Sequence, residues 1–123
     1  MLNQEFSCKA LLLKELRKKL NGYKQQDFTK GFYNESTFIK EDELIEKLVC
    51  SRLICHYCGK HVYIIYNYCR DNTQWSLDRI DNDQGHNTHN VIIACLGCNL
   101  KRRRLNKDKF FFSKRMKLIK LDT

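Results

Sequence analysis

Apolar residues first recur at helical spacing. Leu12, Leu13, Leu16 and Leu20 fall on one face, Ser7 is placed as a cap, and Asn21-Gly22 supplies a stop. A helix over Lys9 to Leu20 is therefore predicted. A second is predicted from Glu41 to about Leu53, with Leu44, Ile45, Leu48 and Val49 on one side. Between them, Tyr23 to Phe38 is aromatic and polar, contains Gly31, and reads as loop or short irregular structure. These helices are expected to build core and to carry no chemistry. Downstream the pattern changes to strand composition. His61 to Tyr68 (HVYIIYNY) and Gln74 to Ile80 (QWSLDRI) are rich in β-branched and aromatic residues. A polar loop, DNDQGHNTHN, spans residues 81–90, and the apolar step Val91 to Ala94 follows. A last helix is predicted through Asn99 and the basic residues after it. The fold class is α+β, with no proline, internal repeat or low-complexity linker.

Composition narrows this picture. A chain of 123 residues has room for one modest core. With 42% hydrophobic and 30% charged residues it is of soluble globular composition. Its longest apolar runs are a few residues, whereas a membrane span needs about 20. The N-terminal apolar patch is too short and too charged for a secretion signal, so an intracellular setting is expected.

The formal charge of +9 is uneven. Residues 1–50 carry nine basic and eight acidic groups, and residues 51–98 carry four of each. Residues 99–123 carry ten basic groups against two acidic ones, beginning with Lys101, Arg102, Arg103 and Arg104. Such a stripe attracts a polyanion by Coulomb forces and counterion release, which points to nucleic acid. The alternatives are a solvated helix end or, more weakly, an anionic membrane surface.

Seven cysteines, an odd number, argue against a secreted disulfide framework. Four form two Cys-x-x-Cys pairs, CHYC at Cys55 and Cys58 and CLGC at Cys95 and Cys98. Two such knuckles, the first followed by Gly59, make a four-sulfur site that zinc favours. Buried free thiols or a redox pair is the other reading. Cys8, Cys50 and Cys69 read as small core residues. His56 and His61 lie near the first knuckle, but four thiols leave no need for them. The 36 residues between Cys58 and Cys95 exceed the spacing of compact four-cysteine fingers, so something is inserted between the knuckles.

The segment CHYCGK … SLDRIDNDQGHNTHNVIIACLGCNLKR resembles the HNH endonucleases, the ββα-metal or treble-clef nucleases, and is similar to phage recombination and homing enzymes. The match covers about residues 53–104. It divides the chain into a helical extension (1–52), an HNH-like zinc domain (53–107) and a basic C-terminal tail (108–123). The resemblance implies a zinc-stabilised treble clef whose structural ligands are Cys55, Cys58, Cys95 and Cys98. It also implies a Mg²⁺ or Mn²⁺ held between Asp78 and Asn99, hard oxygen donors suited to such cations. Asn90 would fix the loop through backbone hydrogen bonds. A viral or mobile-element origin follows from the same likeness. Read without it, Asp78 is a turn or salt-bridge residue, with Arg79 as the nearest partner, and Asn99 a helix-cap amide.

The family places a general-base His directly after that Asp, where this chain has Arg79. A guanidinium keeps its proton and cannot serve as base, although it can grip a phosphate. His86 and His89 in the adjacent loop are candidate bases or plain loop residues. A metal-lowered water positioned by Asp78 or Asp81 is the third option. Two functions follow. One is a metal-dependent DNA endonuclease with altered base chemistry, docking the backbone with Arg79 and Lys101 to Arg104. The other is an inactive zinc module that binds DNA or RNA in a larger assembly. A protein-interaction module is the weaker third. Oligomeric state stays open.

Overall fold

The computed structural model describes residues 2–66, 70–102 and 106–122, with side chains over 8–66, 70–102 and 106–114. It is a small α+β structure of four helices and one two-stranded antiparallel sheet. The elements are α1 (Leu2–Lys30), α2 (Glu41–Ser51), β1 (Trp75–Arg79), β2 (Val91–Cys95), α3 (Leu96–Arg102) and α4 (Lys107–Asp122). None of these helices is long and apolar enough to cross a membrane.

The first helix does not stop at Asn21-Gly22. It runs on to Lys30 and ends at Gly31, whose φ of 75° suits a left-handed cap. The Gly31 N–H bonds to the Phe28 carbonyl and the Phe32 N–H to the Asp27 carbonyl. One glycine costs a helix only about 1 kcal/mol. Packing of Leu16, Leu20 and Tyr23 against the rest of the fold outweighs that. The supposed loop from Tyr23 is thus helix for two more turns, which matters for the site.

The second helix ends at Ser51, and Arg52 and Leu53 both take positive φ. Leu44 and Leu48 are buried, but Ile45 and Val49, expected beside them, are exposed. The expected strand at His61 to Tyr68 is not a named strand over its described residues. It contributes isolated bridges, Ile54 to His61 and Tyr63 to Gln74. Tyr68 and Cys69 lie outside the described residues. Of the expected strands Gln74 to Ile80 forms, as β1, and its partner is β2, a segment read only as an apolar step, pairing Trp75 with Cys95, Leu77 with Ile93 and Arg79 with Val91.

One hydrophobic cluster joins Leu16 and Leu20 of α1, Leu44 and Leu48 of α2, the sheet residues Trp75, Leu77 and Ile93, and the cysteines of both knuckles. The tail is helical. Its Phe110 lies 5.0 Å from the Tyr57 ring and its Phe111 5.1 Å from the His56 ring, so both pack on the first knuckle. Phe112 points outward. Cys8 and Cys50, expected in the core, are exposed.

Candidate functional site

The two knuckles converge. The first turns at Gly59, whose φ is 72° and whose N–H bonds to the Cys55 carbonyl. The second sits where β2 passes into α3, with the Cys98 N–H directed at the Cys95 sulfur. Pairing across the knuckles follows from the His56 N–H bond to the Ile93 carbonyl at 3.0 Å. The sulfurs of Cys55, Cys58, Cys95 and Cys98 all lie within 4.8 Å of one another, with Cys58 and Cys95 3.9 Å apart. Tetrahedral zinc–sulfur bonds of about 2.3 Å place sulfurs about 3.8 Å apart, so the spacing fits one ion of that kind. Without a cation the thiols conflict. Hydrogen bonds from Cys95 and Cys98 pull the Cys55 thiol far down, while its neighbours push Cys98 up and Cys95 to about 11. A divalent cation at the centre lets all four ionise. Neither His56 nor His61 enters this group.

On the other side of β1 a cleft of about 890 Å³ opens, bordered by β1, α3, the 81–90 loop and one face of α1. Asp78, Arg79, His86 and Asn99 all line it. Asp78 is only 2% exposed. Its Oδ2 accepts from the Tyr57 hydroxyl and from Arg102 Nη1, the latter at 2.6 Å. Burial pushes its carboxyl above the usual range, and Tyr57 and Arg102 oppose that rise.

Arg102 is therefore no phosphate contact. It is 1% exposed, pairs with Asp78, and donates to the backbone carbonyls of Arg79 and Ile80. Its five donors in a planar fork suit this carbonyl-rich corner. It is this arginine, and not neighbouring Arg79, that forms the salt bridge with Asp78. Lys101 is exposed on α3, and Arg103 and Arg104 lie outside the described residues. Arg79 is half-buried, with its Nη1 3.2 Å from the Asn82 and Gln84 carbonyls. Asn99 donates its amide to Ser76 Oγ at 3.1 Å and to the Leu77 carbonyl at 3.2 Å.

The two loop histidines separate. His89 is exposed and lines a different, shallow depression with Asn34 and Thr37. His86 is 4% exposed and reaches the cleft. Its Nδ1 lies 2.7 Å from Asp27 Oδ1, and its backbone N–H donates to Asp27 Oδ2 at 2.7 Å. The Tyr23 ring lies 4.3 Å away, centre to centre. Burial lowers the His86 pKa, against the pull of Asp27. Gly85 makes this approach possible, since a Cβ there would meet Asp27 Oδ2 at 2.6 Å.

Asn90 braces the loop. Its side-chain nitrogen donates to the Asp81 and Gly85 carbonyls, and its oxygen accepts from the Asp81 N–H at 2.9 Å. Asp81 is exposed and holds the turn through the Asp83 N–H and Gln84, outside the cleft lining.

Three residues of this site were not singled out by sequence: Asp27, Tyr23 and Lys19. Lys19 donates to the Trp75 carbonyl and sits over the Trp75 ring at 4.6 Å, and burial lowers its pKa to about 7. The signal for the α1 residues was their period. Lys19, Tyr23, Gln26 and Lys30 lie three or four apart, which marks one helix face once Gly22 is read as interior. Comparison of the chain with protein-family models, with curated proteins and with solved structures finds no match to any of them.

Proposed function

We propose that this protein is a divalent-metal-dependent DNA endonuclease of HNH type, built on a zinc-held treble clef, with His86 as its general base. The observation that carries this reading is the meeting of Asp78, Arg79, His86 and Asn99 in one cleft, with His86 held by Asp27. In the cysteine cluster zinc holds the fold and does no chemistry.

In the cleft, Asp78 and Asn99 supply hard oxygen for Mg²⁺ or Mn²⁺. Such a cation stabilises charge on the phosphoryl oxygens when bound. With Nδ1 fixed by Asp27, the Nε2 of His86 is the atom left to take a proton from the attacking water. A lowered pKa keeps that ring neutral, and able to accept, at pH 7. The Arg79 guanidinium binds the phosphate. Asn90 keeps the loop, and hence His86, in register.

The test is nicking of supercoiled plasmid by the zinc-loaded chain with Mg²⁺ or Mn²⁺. Asp78→Ala is expected to abolish it, and His86→Ala to slow it by about 10² to 10⁴. One observation favours a second reading, an inactive module that binds nucleic acid in a larger assembly. Asp78 already has its Oδ2 engaged by Arg102 and Tyr57, so the donor set for a cation is thin. DNA binding without nicking by the wild type, with activity appearing in Arg79→His, would establish that reading instead.

A further inference from the structure

The first helix faces the cleft with Lys19, Gly22, Tyr23, Gln26 and Lys30, and Lys18 borders the same opening. That face spans about 16 Å from Lys19 to Lys30 at about 1.5 Å per residue. Lys18 and Lys30 are exposed, and Arg79 stands across from them. The carboxylates on the lining are Asp78, which Arg102 neutralises, and Asp83. The cleft is thus net positive through residues of the N-terminal helix. Meanwhile Arg102, from the basic cluster that looked like the docking surface, is consumed inside the fold.

We propose that this face of α1 is the binding wall for one DNA strand, with Lys18 and Lys30 gripping separate phosphates at its two ends and Gly22 leaving the gap through which the backbone passes. The inference rests on the nucleic-acid reading above and gives the helical extension its role. The face of about 16 Å is long enough for its two ends to meet different phosphates of one strand. Gly22 carries the steric part. A Cβ built there meets nothing within 4 Å, so the glycine is not required by packing. A mid-helix glycine with open space beside it is costly to the helix and useful to a close-approaching ligand. Lys19 is held by the Trp75 carbonyl and ring at the end of the wall, where it sets the strand's path.

The experiment measures affinity of the zinc-loaded full chain for a fluorescent duplex DNA by anisotropy, across a salt series and without Mg²⁺ so that cleavage plays no part. Lys18→Glu with Lys30→Glu is expected to weaken binding at least about 10-fold and to reduce the slope of log K against log salt by about 2. The charge-matched control, Lys9→Glu with Lys60→Glu, lies off the cleft lining and is expected to lose much less. Gly22→Leu keeps the net charge, raises the Tm by a few degrees as a helix-favouring change, and is expected to weaken binding by a similar factor.

Equal loss in the control pair would mean a diffuse charge effect and overturn the wall. Wild-type affinity in Gly22→Leu would overturn it as well. The two proposals fail separately. Binding that depends on α1, in a chain that never nicks, would keep the wall and sink the endonuclease. Nicking lost in Asp78→Ala but untouched by the α1 variants would keep the endonuclease and sink the wall. No DNA binding by the wild type would remove the wall outright.

Discussion

The sulfur cluster and the cleft meet at α3, which supplies Cys98 to one and Asn99 to the other, yet they handle charge in opposite ways. In the cluster four thiols crowd together, so that ionised sulfurs would repel one another. In the cleft each buried charge has its own partner: Arg102 for Asp78, and the His86 ring and N–H for Asp27. A cation held by the cluster would balance it, whereas the cleft is already balanced by its own residues. On the proposed reading, loss of the cluster metal should cost structure and loss of the cleft metal activity alone.

That contrast breaks most sharply on chelation. Removal of the cluster metal, or Cys98→Ala, is expected to abolish the cooperative thermal transition, whereas EDTA at a strength that strips only Mg²⁺ leaves circular dichroism unchanged. Next in size is the buried ion pair. Arg102→Leu leaves Asp78 without its cation and is expected to cost about 3–5 kcal/mol in urea unfolding. A near-neutral result would mean that Asp78 is held protonated with Tyr57 alone as partner.

Gly85→Ala is smaller and more specific. Its Cβ would sit 2.6 Å from Asp27 Oδ2 and 2.9 Å from the Phe32 carbonyl. Loss of about 1–3 kcal/mol is expected, along with slower nicking as His86 is displaced. The smallest effect is the pH response. Folding lowers the His86 pKa, so below about 6.5 the unfolded chain binds the proton first. The His86 contribution is complete above that pH and declines as the pH falls. Urea midpoints at pH 7 and 5.5 should differ less in His86→Gln than in the wild type.

Legibility in the sequence followed distance along the chain. The cysteine cluster needed only two local motifs and the antiparallel return between them. The first strand was visible in QWSLDRI, whereas VIIAC, its partner, was read only as an apolar step. The cleft is built from pairs far apart: Asp27 with His86, 59 residues on, and Asp78 with Arg102, 24 residues on. No local pattern announces such pairs. Arg102 looked like surface charge because its neighbours are basic, and only the buried carboxylate opposite explains its position. Asp27 was hidden by the misplaced helix end at Gly22. A glycine is a weak stop when aromatic residues beyond it can pack, as Tyr23 does on His86.

The chain's single tryptophan gives it a built-in optical reporter. Trp75 is fully buried between the cysteine cluster and the cleft, and its indole nitrogen has no hydrogen-bond partner among the described residues. The amine of Lys19 hangs over its ring. Emission from that one fluorophore will therefore register both unfolding around the sulfur cluster and any movement of Lys19 in the cleft. Both sites can be followed in an unlabelled sample, and the two responses are separable by which additive provokes them.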